Sequence, residues 1–144
     1  MRWRDALDLL NEIKMGITNF KGKKVLFADD AAFIRNLVKK TLEVIGITDV
    51  KEAADGRQAL AALQTANYDL VISDLHMPEM DGIELLREVR ADERMWRMPF
   101  LMLTSDMDAE NVKTAAELDE SGYLTKPFRG DPLIDKVTEI LQKK

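Results

Sequence analysis

Polar and charged side chains follow four short apolar runs of this sequence, and together they could hold a phosphoryl group and a metal ion. The set consists of Asp29, Asp30, Asp74, Thr104 and Lys126. Three carboxylates placed together repel one another, so one of them must take up a proton or the group must gain a cation. Oxygen ligands without histidine or cysteine favour Mg²⁺, which keeps several waters and binds one or two carboxylates plus a phosphate.

One aspartate of this set could act as a nucleophile, because a carboxylate can attack phosphorus and form an acyl phosphate. Asp74 stands alone after its apolar run, whereas Asp29 and Asp30 form a pair suited to holding a metal ion. We therefore predict that Asp74 accepts the phosphoryl group. The ammonium group of Lys126 would neutralise phosphoryl oxygens, and the hydroxyl of Thr104 would donate a hydrogen bond.

Five short apolar runs predict the strands that position these groups. The three strongest are nearly continuous, which is typical of strands buried on both faces of a parallel sheet. Because segments with helical spacing lie between the runs, the sequence predicts an α/β fold, a doubly wound five-stranded parallel sheet with five helices. Ligands bind beyond the carboxyl ends of such strands, where the polar residues fall. The strong runs are 25–28, 68–72 and 100–103, and the weaker ones are 50–54 and 122–125.

The first predicted helix carries an apolar stripe that ends at Gly46, a residue suited to terminating a helix. We expect this stripe to face the sheet. Its members are Phe33, Ile34, Leu37, Val38, Leu42 and Ile45.

Composition excludes several classes of protein. The 144 residues suit one domain, and a net charge of −5 without a basic cluster does not indicate nucleic-acid binding. The absence of cysteine excludes disulfides and thiolate metal sites. No apolar run is long enough to span a bilayer, and acidic residues at 5, 8 and 12 interrupt any secretory signal. We expect a cytoplasmic protein that binds neither nucleic acid nor membrane.

An amphipathic segment precedes the alternating pattern, so we divide the chain into a helical extension at 1–21 and a main domain at 22–144. We expect the extra N-terminal helix to dock on its own domain or on a second copy, which would make a homodimer. A polar face with both signs of charge disfavours binding to a membrane surface. The apolar residues at helical spacing are Trp3, Leu7, Leu10, Ile13, Ile17 and Phe20.

The ordered motifs of the main domain resemble the receiver domain of two-component response regulators, especially the single-domain CheY-like kind. The resemblance covers about 23–144 and implies a flavodoxin-like fold. It is specific because every motif falls at a strand end in the expected order. The matching stretches are 25–30 (VLFADD), 72–82 (ISDLHMPEMDG), 103–105 (LTS) and 123–128 (YLTKPF).

The resemblance also implies a role for each site residue. Asp74 would receive the phosphoryl group from a histidine kinase or phosphotransfer protein. Asp30 and Asp74 would ligate Mg²⁺ directly, Asp29 would act through water, and the backbone carbonyl of His76 would complete the coordination. Lys126 would pair with the phosphoryl oxygens. The chain would then be a phosphoacceptor that catalyses its own phosphorylation and dephosphorylation, rather than an enzyme acting on outside substrates.

Signalling would follow from a population shift that the phosphoryl group imposes. The resemblance implies that Thr104 moves towards the phosphoryl group and that Tyr123 turns inward. The two movements would remodel the face of the fourth helix, fifth strand and fifth helix for a downstream target protein in chemotaxis or motility. His76 and Asp106 lie where receivers control attacking water, so we expect them to set the phosphoryl lifetime.

Two positions depart from the usual receiver pattern. Ala31 replaces the small hydroxyl residue that often caps the first helix, so we expect no side-chain cap there. The segment 118–120 replaces a glycine-containing turn, and Asp119 tolerates a left-handed conformation better than most residues.

Other interpretations of these residues stay open at this point. Asp29 or Asp30 could simply cap a helix, Tyr123 could be a static half-buried aromatic, and His76 could be an ordinary loop residue. An Mg²⁺-dependent aspartyl phosphatase would usually carry a second acid where His76 stands. A degenerate receiver acting as a scaffold is disfavoured by the complete site. Nucleotide-binding folds are disfavoured because no glycine-rich phosphate-binding motif is present.

Overall fold

The computed structural model describes residues 19–105, 108–126 and 130–142. The N-terminal helix predicted within 1–21 falls almost entirely outside these residues, and so does Asp106. The predictions made for them stay predictions.

Five parallel strands and five helices alternate along the described chain, as the sequence predicts. The sheet order is β2-β1-β3-β4-β5, which is a doubly wound, flavodoxin-like arrangement. The strands are β1 (Lys24–Ala28), β2 (Asp49–Ala53), β3 (Leu70–Ser73), β4 (Phe100–Thr104) and β5 (Gly122–Thr125). The helices are α1 (Ala32–Glu43), α2 (Gly56–Thr65), α3 (Gly82–Ala91), α4 (Ala109–Glu117) and α5 (Gly130–Gln142).

Strand position in the sheet explains which apolar runs are strong in the sequence. The central strands β3 and β4 are buried at every residue, and β1 is buried at all but its first. The edge strands β2 and β5 are mostly exposed or half-buried. Because an edge strand lacks a neighbour on one side, it can carry polar residues, and its sequence signal is weak.

Helices cover both faces of the sheet and divide the core into two layers. Each fully buried aliphatic side chain in these layers stabilises the fold by about 1.5–3 kcal/mol. On one face, α1 and α5 contribute Val38, Leu42, Leu133 and Val137. On the other face, α2, α3 and α4 contribute Ala59, Leu63, Leu85, Leu86, Val89 and Ala115.

The predicted orientation of α1 was partly wrong. Val38 and Leu42 are buried as expected, but Phe33 is 76% exposed and Leu37 is 38% exposed. Residues 33 and 37 lie roughly 100° around the helix from 34 and 38, so they fall at the solvent side of the stripe once Val38 and Leu42 are centred on the sheet. The sheet takes the side that contains Val38 and Leu42.

The loop from β3 to α3 is held close to the sheet by two glycines. A Cβ at Gly82 would lie 2.3 Å from the Asp74 carbonyl oxygen, so only glycine permits this approach. Gly56 donates its N–H to the Met80 carbonyl at 3.2 Å. Between these contacts Glu79 adopts a φ of 69°, an uncommon conformation for a residue with a side chain. The loop is therefore fixed in position directly beyond the end of β3.

The structure confirms both predicted departures from the usual receiver pattern. Ala31 provides no side-chain cap for α1. Asp119 has a φ of 59°, which is the left-handed conformation predicted for the turn between α4 and β5.

Candidate functional site

The three predicted acids lie together where β1 and β3 end. The register pairs Ala28 with Ser73, so Asp29 and Asp74 follow side by side, and the Asp74 N–H donates to the Ala28 carbonyl at 2.9 Å. One carboxylate oxygen from each of Asp29, Asp30 and Asp74 lies within 4.8 Å of the others. Asp29 and Asp74 are buried, whereas Asp30 is exposed. One exposed and two buried carboxylates therefore surround a single point.

Lys126 enters this cluster from the end of β5. Its Nζ lies 2.5 Å from Asp29 Oδ2 and 3.4 Å from Asp74 Oδ2, and its side chain is 14% exposed. Among the described side chains of this cluster, one ammonium faces three carboxylates, which gives a formal net charge of −2. A divalent cation would balance this charge, and the donor atoms are all oxygen, as Mg²⁺ prefers.

Backbone groups fix the second oxygen of each buried carboxylate. Asp29 Oδ1 accepts from the Ala31 N–H at 2.9 Å, and Asp74 Oδ1 accepts from the Leu75 N–H at 2.8 Å. Asp29 does not cap α1, because the N-cap is Ala31 and the Ala31 N–H that Asp29 accepts lies before the first helical residue, while the other Asp29 oxygen faces Lys126.

Thr104 and Tyr123 lie on the strands beside the acids. Thr104 ends β4, is 1% exposed, and its carbonyl accepts the Lys126 N–H at 2.9 Å. Tyr123 is half-buried on β5, opposite Met102, and packs against the core. Their positions place a hydroxyl at the carboxyl edge and an aromatic ring behind it. The movements expected of the two side chains stay predictions.

His76 lies in an open cleft above the acids. The cleft has a volume of ≈ 530 Å³, and Asp30, His76, Glu79, Asp81 and Glu84 are among its lining residues. Half of the eight lining residues are acidic and none is a lysine or arginine, which favours a hydrated cation. Metal coordination by the His76 carbonyl stays a prediction.

Sequence reasoning missed two residues that support the acids. Arg35 of α1 donates from Nη1 to the Asp29 carbonyl at 2.6 Å, and buried Ser73 donates from Oγ to the Asp74 carbonyl at 2.8 Å. Arg35 stands six positions after Asp29, in the first turns of α1. That spacing indicates that Arg35 could reach the acid pair. Whether it does depends on the rotation of α1 about its axis, which decides which way Arg35 points.

Comparison with known proteins agrees with this geometry. Residues 25–138 match the family model described as the response regulator receiver domain.

The chain belongs to the response regulator receiver domain family.

Individual relatives include chemotaxis regulators. The chain is 39% identical over 120 residues to the chemotaxis protein CheY of Pseudomonas aeruginosa, covering 83% of this chain and 97% of that protein. It resembles the structure of the chemotaxis response regulator CheY4 of Vibrio cholerae with a TM-score of 0.77 and 39% identity, covering 83% and 98% of the two chains. The Mn²⁺-bound form of response regulator Rcp1 aligns with a TM-score of 0.72 and 28% identity, covering 82% and 91%.

Family membership fixes the general role of this receiver domain. It is a CheY-like response regulator of two-component signal transduction rather than a classical enzyme. Receiver domains interact with histidine kinases or phosphotransfer proteins and with downstream targets.

Within the described residues, no helix is both long and apolar enough to cross a membrane.

Proposed function

We propose that this receiver domain accepts a phosphoryl group on Asp74 with the help of Mg²⁺ and signals through a changed protein-binding face. The observation that carries this proposal is the convergence of Asp29, Asp30 and Asp74 within 4.8 Å, with Lys126 contacting two of them. A carboxylate nucleophile, a cation site and an ammonium group are the components that phosphoryl transfer to an aspartate requires.

The donor set fits a divalent cation. Asp30, which is exposed, and Asp74 would ligate Mg²⁺, while Asp29 would act through water and the His76 carbonyl would complete the protein ligands. The formal net charge of −2 among the three carboxylates and Lys126 supports this assignment, and so does the Mn²⁺-bound form of the related Rcp1. When bound, the ion would neutralise charge on the transferred group.

Asp74 is the proposed nucleophile because it stands alone at the end of the central strand β3, whereas Asp29 is the acid nearest Lys126, at 2.5 Å. Asp74 Oδ1 accepts from the Leu75 N–H, whereas Asp74 Oδ2 faces Lys126 across 3.4 Å. A bond would form between an Asp74 oxygen and phosphorus as the bond from phosphorus to the donor breaks, and the leaving group would depart with its electron pair. The Lys126 ammonium would stabilise the charge on the phosphoryl oxygens. The donor in the cell would be a histidine kinase or phosphotransfer protein.

The output would be read at the surface of α4, β5 and α5. Thr104 would move towards the phosphoryl group and Tyr123 would turn inward, which favours one conformer of that surface. The chemotaxis names of two relatives support a role in chemotaxis or motility. A cytoplasmic location, homodimerisation through the N-terminal segment and control of phosphoryl lifetime by His76 and Asp106 complete the proposal.

The test is to incubate the full chain with acetyl phosphate and Mg²⁺ and to measure its intact mass. We expect one phosphoryl adduct that survives acid, is lost in base and requires the metal. Asp74→Asn should abolish the adduct. Asp55→Asn is the matched control, because Asp55 caps α2 after the edge strand β2 and asparagine caps equally well.

Two outcomes would overturn the proposal in different ways. Sustained release of phosphate from many unrelated esters, without an adduct that depends on Asp74, would indicate an aspartyl phosphatase. Absence of any adduct in the presence of Mg²⁺ would indicate a scaffold that uses the receiver fold without its chemistry.

A further inference from the structure

We propose that Arg35 is a positioning residue, which holds the peptide between Asp29 and Asp30 so that the acid pair is presented to the metal ion. This inference rests on the proposed function, because it concerns the Mg²⁺ affinity of the same site. It assigns a task to a residue of α1 that lies outside the acid, hydroxyl and lysine set.

The Arg35 guanidinium connects the acid pair to the edge strand. Nη1 donates to the Asp29 carbonyl at 2.6 Å, and Nε lies 3.3 Å from Glu52 Oε1 on β2. The Arg35 side chain is 19% exposed, so it is mostly shielded from water. Glu52 is also approached by Lys39, whose Nζ lies 3.4 Å from Oε2. The arginine is therefore anchored at one end and reaches the acid pair with the other.

The carbonyl that Arg35 holds determines the course of the backbone into Asp30. A peptide unit is planar, so fixing the Asp29 carbonyl fixes the plane that joins Asp29 to Asp30. The Asp29 N–H donates to the Ala53 carbonyl at 3.0 Å, which fixes the preceding unit as well. The Asp30 side chain is exposed, so packing restrains it little and the backbone largely decides where its carboxylate points.

The first hydrogen bond of helix α1 is accepted by Ala31 and not by the Asp29 carbonyl. The Arg35 N–H donates to the Ala31 carbonyl at 3.1 Å, so the helical hydrogen bonds begin two residues after Asp29. The Arg35 side chain thus supplies a hydrogen bond that the helix backbone does not. Groups that orient metal ligands in this indirect way commonly change metal affinity by 10–100-fold when they are removed.

A purely electrostatic role for Arg35 predicts the opposite change in Mg²⁺ affinity when the arginine is replaced. A positive charge near the site repels Mg²⁺, so its removal would strengthen metal binding. Glu52 compensates that charge at 3.3 Å, which weakens the repulsion. Arg35→Lys separates the two roles, because lysine keeps the charge but cannot form two directed hydrogen bonds with a rigid planar group.

The experiment measures the Mg²⁺ dissociation constant of the full chain by titration calorimetry, without a phosphodonor. We expect Arg35→Met and Arg35→Lys each to weaken binding by about tenfold. Lys39→Met is the matched control, because it removes a positive charge beside the same Glu52 but Lys39 makes no contact with Asp29. We expect the Mg²⁺ dissociation constant of this variant to stay within about twofold of the wild type. Melting temperatures in metal-free buffer establish that each variant is folded.

Phosphorylation kinetics provide a second readout. For both Arg35 variants, the Mg²⁺ concentration that gives half the maximal rate should rise about tenfold, while the rate at saturating Mg²⁺ stays within about twofold. Unchanged or tighter Mg²⁺ binding by Arg35→Met would overturn the inference, and so would normal binding by Arg35→Lys. If the wild-type protein bound no Mg²⁺ or formed no adduct on Asp74, the proposed function itself would fail.

Discussion

The Lys126 ammonium lies closer to Asp29, at 2.5 Å, than to the proposed phosphoacceptor Asp74, at 3.4 Å. The Asp29 side chain is 1% exposed, so its charge is costly unless a cation lies beside it. Lys126 therefore neutralises the most buried acid of the cluster. A phosphoryl group on Asp74 would offer the same ammonium a second, more highly charged partner.

Replacing Lys126 by methionine should reduce both stability and phosphorylation. The change leaves the buried Asp29 carboxylate without its cation, so the free energy of unfolding in metal-free buffer at neutral pH should fall by about 3 kcal/mol. Mg²⁺ should recover part of this loss, because it binds the folded site. Adduct formation at saturating Mg²⁺ should slow by about a hundredfold. Urea unfolding with and without Mg²⁺ measures the first two effects.

Lys136→Met is the matched control for that variant. Lys136 pairs with exposed Glu139 at 3.6 Å, and such pairs contribute less than about 1 kcal/mol. Equal stability losses in the two variants would mean that Lys126 contributes no more than an ordinary surface lysine.

Arg90 joins three segments at the amino edge of the sheet, opposite the site. Its guanidinium donates to the backbone carbonyls of Trp96, Met98, Leu118 and Asp119 over 2.7–3.0 Å. Burial lowers the pKa of this group, as expected for a cation removed from water. Arg90→Met should lower the free energy of unfolding by about 3 kcal/mol, because several carbonyls lose their donor. Chemical denaturation measures the loss.

The exposed Arg87 of the same helix provides the comparison for Arg90. Arg87→Met should change the free energy of unfolding by less than about 0.5 kcal/mol. A similarly small change for Arg90→Met would show that its four hydrogen bonds add little net stability.

Glu120 should make folding stability depend on pH. Burial raises the pKa of its carboxyl and Asp119 adds to the rise, whereas a hydrogen bond from its own backbone N–H and the charge of Arg90 act in the opposite direction. Within the part of the chain that the structure describes, Glu120 Oε2 is buried without a hydrogen-bond partner. A raised folded-state pKa favours the protonated acid. The stabilisation is therefore complete below the ordinary pKa of about 4.3 and is lost as pH rises through the raised value.

Glu120→Gln removes this titration and keeps a similar shape. The variant should be more stable than the wild type at pH 7 by about 0.5 kcal/mol, a small value because the residue is only half-buried. The difference should shrink as the pH approaches 4. Urea unfolding at both pH values tests this, with the exposed Glu117→Gln as control. A gain of the same size at both pH values would contradict the assigned cause.

The acid cluster could be predicted from sequence because parallel strands end at a common edge. Asp29 and Asp74 follow buried apolar runs, so their proximity required only the correct order of strands. The weak apolar runs of β2 and β5 were still sufficient to predict these two strands, because turn and helix patterns marked where each strand begins and ends. Edge position explains the weakness, because an exposed strand need not be continuously apolar.

Contacts that depend on helix rotation could not be predicted in the same way. Phe33 was expected to face the sheet and is exposed, whereas Arg35 faces β2 and reaches the Asp29 carbonyl. Both outcomes depend on the angle of α1 about its own axis, which the packing of Val38 and Leu42 against the sheet decides. The preference of Lys126 for Asp29 over Asp74 likewise depends on a difference of about 1 Å between the two distances from its Nζ. The spacing of residues along the chain cannot predict a difference of that size.

Mapping the phosphoryl group to a single residue decides whether Asp74 is the phosphoacceptor. After treatment with acetyl phosphate and Mg²⁺, borohydride reduces an aspartyl phosphate to homoserine with release of phosphate, and peptide mass spectrometry locates the change. We expect homoserine at position 74 alone and none when the metal is chelated. Homoserine at position 29 or 30 with Asp74 intact would contradict the assignment of Asp74 as the phosphoacceptor.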